Sequence, residues 1–81
     1  MTSTVWTEKV FLQLTPGTGF VSVSNTRAAF ALLTTRWPVI SGKAFWAAQE
    51  ICLAAMDNRT AHEQARMAFI AAAQEASVTI D

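Results

Sequence analysis

Disulfides, a metal-ligand cluster, net charge and long apolar runs are all missing from this chain, and each absence excludes a class of function. Cys52 is the only cysteine among 81 residues, so no bridge can close within the chain. With His62 the only histidine, the residues fall short of a structural zinc set, and no metal or cofactor is expected. Such sparing use of cysteine suits a reducing cytoplasm. Six Lys and Arg balance six Asp and Glu, so the field that draws a protein onto nucleic acid or anionic lipid is absent, and neither is expected as a partner. The longest apolar run, Met67 to Ala73, has seven residues, whereas a membrane-spanning helix needs about 20. Met1-Thr2-Ser3-Thr4 leads into Glu8-Lys9 without the basic and apolar regions of a secretory signal. The reading is a soluble, cytoplasmic protein of one domain, residues 1–81. A chain this short buries only about 60% of its unfolded surface, so self-association would add stability it has use for.

What is present is a change of period. Val10, Leu12 and Leu14 alternate with Phe11 and Gln13, and Val21 and Val23 alternate with Ser22 and Ser24, which predicts two strands with the valines and leucines toward the core. Between them Thr15-Pro16-Gly17-Thr18-Gly19 supplies a fixed φ and two residues free to take positive φ, as a hairpin loop requires. Phe11 and Phe20 fall on the opposite face, which is either covered by another part of the chain or another molecule, or left bare.

After Ser24 the spacing is helical. Asn25 or Thr26 caps a first helix whose stripe is Ala29, Phe30, Leu33 and Trp37, and Pro38 ends it, turning Trp37 out of the helix and its ring inward. Ser41 is placed to cap a second helix, reaching about Asp57, with Phe45, Ala48, Ile51, Cys52, Ala55 and Met56 buried and Trp46 and Leu53 flanking. Asn58 suits a left-handed helix stop, and Thr60 with Glu63 reads as a capping box for a third helix. That helix presents Ala61, Ala65, Ala68, Phe69, Ala72 and Ala76 along one side, small enough for an antiparallel neighbour to approach closely. Val78-Thr79-Ile80 reads as an edge strand, with a frayed end as the alternative. The fold class is therefore α+β: an N-terminal β-hairpin packed on three α-helices, ββααα, or ββαααβ with the short C-terminal strand.

The string Arg36-Trp37-Pro38, Gly42, Ala48, Cys52, Ala65-Arg66, Ala68-Phe69-Ile70-Ala71-Ala72 and Glu75-Ala76 resembles the bacterial family catalogued as domain of unknown function 982. The resemblance covers most of the chain and is densest from Trp37 to Ile80. It implies a small single-domain bacterial protein with a hairpin followed by helices, and it transfers no catalytic or binding residues.

No reaction chemistry is assembled in the sequence. Cys52 lies on an apolar stripe, where a cysteine behaves as a small hydrophobe. If the helical hairpin turns near Asn58, His62 is offset from Cys52 by roughly 4.5 Å along the axis, so a packed Cys52 and a solvated His62 are expected in place of a dyad. Glu8, Glu50, Glu63 and Glu75 sit on separate elements without the apolar pairing that general acid catalysis needs. Helix three offers Arg66, Gln64 and Gln74 amid alanines, too little for a DNA-reading helix. The expectation is a non-catalytic interaction module that forms a homodimer or meets another protein through Phe11, Phe20, Met67 and Ile70. The alternative is a small-molecule or anion binder at the start of helix two. There Ser41, Gly42 and Lys43 combine free N–H groups with a cation that opposes its own helix dipole, beside the rings of Trp37 and Trp46. Arg66, pairing with Glu63 at the surface, is a further candidate to hold a carboxylate or phosphate.

Overall fold

Alternation of apolar and polar residues becomes a three-stranded antiparallel sheet, and the helical periods become three helices, the first and third packed on the sheet and the second packed on those two. In a computed structural model, which describes residues 5–14, 17 and 19–80, the elements run β1 (Val5–Gln13), β2 (Val21–Asn25), α1 (Thr26–Thr35), α2 (Lys43–Met56), α3 (His62–Glu75) and β3 (Thr79–Ile80). The strand order is β2-β1-β3, so the C-terminal segment does form a strand, with Ile80 beside Leu12 and Thr79 beside Gln13. The hairpin register pairs Val10 with Val23, Phe11 with Ser22 and Leu12 with Val21. Val10, Leu12 and Val23 are buried beneath the helices, while Phe11 and Phe20 are exposed on the other face. Gly17 takes φ +87°, as a tight connection requires; Thr15, Pro16 and Thr18 of the expected loop lie outside the described residues.

β1 is longer than its alternation suggests because the pairing is interrupted. Between the pairs Val5–Asn25 and Val10–Val23, Trp6 to Lys9 face only Ser24, so β1 carries a bulge. A bulge re-aims side chains and frees backbone groups from the ladder. Here it sends the Trp6 ring into the core, 5% exposed, and the Glu8 carbonyl accepts from Arg66 Nε at 3.1 Å.

α1 begins where Asn25 accepts the Ala28 N–H on its side-chain oxygen at 2.7 Å, which removes one orphan donor of the first turn. Its buried residues are Thr26, Ala29, Leu32 and Leu33; Leu32 replaces Phe30, which is half-buried. Beyond its end Trp37 is buried against Phe69 with ring centroids 5.4 Å apart. Trp6 packs on Phe69 at 5.8 Å. The wholly buried Phe69 therefore sits between two indoles from distant parts of the chain, each contact adding about 0.5–1.5 kcal/mol to the area it buries.

α2 and α3 form the antiparallel pair. Ala48, Cys52 and Ala55 meet Ala65, Ala72 and Ala73 with no exposure left on any of them, and side chains this small let the two backbones come close. Both helices end in the same way. Asn58 and Ser77 take positive φ, and the N–H groups of Arg59 and Val78 reach back to the carbonyls of Ala54 and Ala73 at 2.8 Å, closing the six-to-one bond of a Schellman end. The Asn58 stop is the expected one; the Ser77 stop has no glycine or asparagine to announce it.

Two expected caps are corrected. The third helix starts one residue late, with Ala61 at its N-cap and no side-chain cap bond. Thr60 and Glu63 are thus out of the spacing that a capping box needs, and Glu63 turns to Arg66 instead, 3.2 Å away. The second helix is not capped by Ser41. Gly42 occupies its N-cap with φ +113° and no side chain to offer.

Candidate functional site

The start of α2 recruits its cap from 30 residues downstream. The Glu75 carboxylate accepts the Ala44 N–H on Oε2 at 3.1 Å and the Phe45 N–H on Oε1 at 3.2 Å. The charges explain the choice. Lys43 in the first turn of α2 and Glu75 in the last turn of α3 each oppose the dipole of their own helix, and antiparallel packing sets each beside the end of the neighbour that favours it. Gly42 is required for its positive φ, and a Cβ there would push the Glu75 carboxylate away from the N–H groups it caps. Of the other residues grouped here by sequence, Ser41 and Lys43 are exposed. Trp46 is 56% exposed, with its ring edge-on to Phe45. Trp37 is not beside them as an open ring: it is buried, and its indole N–H has no hydrogen-bond partner among the described residues.

A second polar constellation escaped the sequence reading. Trp6 Nε1 donates to Thr26 Oγ1 at 3.1 Å, and Thr26 Oγ1 lies 2.6 Å from His62 Nδ1. The hydroxyl accepts from the indole and uses its remaining capacity on the imidazole, either donating to Nδ1 or accepting from it according to the tautomer of His62. His62 is thereby half-buried and tied to α1, not solvated as expected. A hydroxyl beside an imidazole has the form of a nucleophile and its base, yet Thr26 is wholly buried, so no substrate reaches it as folded.

Cys52 faces neither group. Its thiol is wholly buried, and desolvation pushes its pKa up to about 11, the opposite of what a thiolate nucleophile needs. Arg66 is engaged: besides the Glu8 carbonyl and Glu63, its guanidinium lies 3.8 Å from the Glu8 carboxylate. It fastens α3 to the bulge of β1. Among the described residues no group of three or more His, Cys, Asp and Glu could hold a metal ion, and no helix is long and apolar enough to cross a membrane.

The remaining surface is apolar in places. Phe11 is 41% and Phe20 49% exposed, on the sheet face that carries no helix. Met67 is also exposed, but Ile70 packs on the rim of the core, because the layer beneath α3 is broader than its alanine stripe. Sequence reading passed over Ile40, exposed in the α1–α2 connection. It also missed an open groove of about 440 Å³ at the far end of α2, lined by Glu50, Ile51, Leu53, Ala54, Arg59 and Thr60.

The family described as Protein of unknown function (DUF982) matches residues 8–80, and the chain belongs to it. The match takes in the alanine seam, Gly42 and Glu75. No curated protein and no solved structure matches the chain.

Proposed function

We propose that this domain is a non-catalytic protein-interaction module that self-associates through its sheet. The observation that carries the reading is the one-sided cover: α1 and α3 pack on the face of Val10, Leu12 and Val23, with α2 packed on those two helices, leaving Phe11 and Phe20 exposed on the other. Aromatic side chains without cover are the usual anchors of protein contacts. The buried, neutral Cys52 thiol and the buried Thr26 hydroxyl support the non-catalytic part. The balanced charge supports protein over nucleic acid as the partner. Sedimentation over a concentration series tests it. The expected result is a mass that rises with concentration and rises less in a Phe11→Ser/Phe20→Ser variant of unchanged circular dichroism. A strict monomer at high concentration removes self-association.

The second reading, a small-molecule or anion binder at Ser41, Gly42, Lys43 and Trp46, without the buried Trp37, is favoured by the Glu75 carboxylate on the Ala44 and Phe45 N–H groups. An oxyanion fits there, but an external one competes with a tethered one. Titrating phosphate against the Gly42 and Lys43 amide resonances is expected to move neither in the native chain. Shifts that saturate, enlarged in Glu75→Gln, would favour the ligand reading.

A further inference from the structure

Resting on the self-association reading, we propose that β2 pairs antiparallel with β2 of a second copy, about a two-fold axis at Ser22, joining two three-stranded sheets into one of six strands. In the order β2-β1-β3 both sides of β1 are occupied. One outer edge is the two-residue β3; the other is the full length of β2. An open edge presents N–H and C=O groups in the spacing of a strand, and its natural complement is another strand.

Nothing in β2 guards that edge. Val21–Asn25 holds no proline and no charged residue, and the bulge of this sheet lies on β1, on the inner side of β2. Proteins that keep an edge single place lysine, proline or a bulge on it. The same neutrality makes the segment self-complementary, because a two-fold axis sets each residue beside a copy of its own neighbours and no like charges meet.

The register follows from facing. Opposed residues of an antiparallel pair share a face, so apolar stays with apolar only when the axis passes through a residue. An axis at Ser22 sets Val21 against Val23 of the partner subunit on the helix side. On the open side it sets Ser22 against Ser22 of the partner subunit and Phe20 against Ser24 of the partner subunit. Asn25 remains outside the pairing, where its side chain is committed to the α1 cap. A five-residue edge spans only about 17 Å, and a single strand pair of that length buries less area than the roughly 1,600 Å² of a standard interface. The dimer is therefore expected to be weak and in rapid exchange.

The test compares sedimentation of the native chain, Ser22→Lys and Met67→Lys from about 10 μM to about 1 mM, with thermal melts to show that each variant is folded. Both sites are exposed, so the melts should be unchanged. Ser22→Lys puts two cations together on the axis and should weaken association at least about tenfold, while Met67→Lys on α3 leaves it as it was. A sample mixing labelled and unlabelled protein should show intermolecular contacts between the Val21 and Val23 methyls. Association that survives Ser22→Lys, whether or not Met67→Lys weakens it, overturns edge pairing and leaves self-association standing. A native chain that is monomeric throughout overturns both.

Discussion

Replacing Thr26 by valine isolates the hydrogen-bonded chain from Trp6 to His62 with little change of shape. Among the described residues the hydroxyl is the one partner of the Trp6 indole N–H, and it sits at the buried meeting point of β1, α1 and α3. Without it a buried donor is left unpaired, which costs about 1–3 kcal/mol. His62 is half-buried, so its Nδ1 regains water and adds little. The valine methyl fills the space of the hydroxyl and gains up to about 0.8 kcal/mol of burial. The net loss is then about 1–2 kcal/mol, or roughly 4–16 °C in Tm for a domain of this size. Urea unfolding measures it, with the Trp6 indole proton as the local readout. Trp6→Phe removes the orphaned donor, at the expense of a cavity that is the same in either background. The double variant should therefore be less destabilised than the sum of the singles by about 1 kcal/mol, and Thr26→Ser, which keeps the hydroxyl but gives up a buried methyl, should lose about 1 kcal/mol and leave the Trp6 indole proton resonance in place. Additivity within about 0.3 kcal/mol would refute the idea that the hydroxyl matters through the indole.

Three other perturbations follow from the geometry. Gly42→Ala meets both a positive φ and the Glu75 carboxylate, and should cost about 2–3 kcal/mol by thermal unfolding. Glu75→Ala, which loses the cap alone, should cost about 1 kcal/mol, and a harmless Gly42→Ala would contradict the packing described. Arg66→Lys cannot reach the Glu8 carbonyl and Glu63 together as the guanidinium does, and should lose about 0.5–1 kcal/mol, discounted for the exposure of both acids. Cys52 should resist alkylation at pH 8 in the native state and react readily in urea. Its folded pKa lies above the ordinary 9.0, so between pH 9 and about 11 the native state holds a proton that the unfolded state has lost. Stability due to the thiol is complete below pH 9 and falls as pH rises toward 11; a Cys52→Ala variant with the same alkaline slope would refute that assignment.

How far the fold was legible depended on how local its causes were. Val10, Leu12, Val21 and Val23 declare their strands by alternation, Asn25 and Asn58 declare helix ends by side-chain chemistry, and the alanines of α3 declare a close neighbour. Trp6 was missed because the bulge breaks the period that would have revealed it. Thr60 with Glu63 imitated a cap because the motif does not state where the helix starts, and a shift of one residue undoes it. Gly42 with Lys43 was legible as a helix start that wants an anion; that Glu75 supplies the anion depends on two helices lying antiparallel, which only the assembled chain establishes. The Thr26 hydroxyl joins residues 20 and 36 positions apart, beyond the reach of any local pattern.

The pairing of Glu75 with the first turn of α2 turns a hairpin into a closed ring. Asn58 and its neighbours link the two helices covalently at one end, and a carboxylate clamps them at the other, so neither helix can splay from a free tip. A backbone cut in the Asn58 turn would still leave both strands of the ring gripped at the far side, which makes that turn the natural place to reopen this chain with new termini.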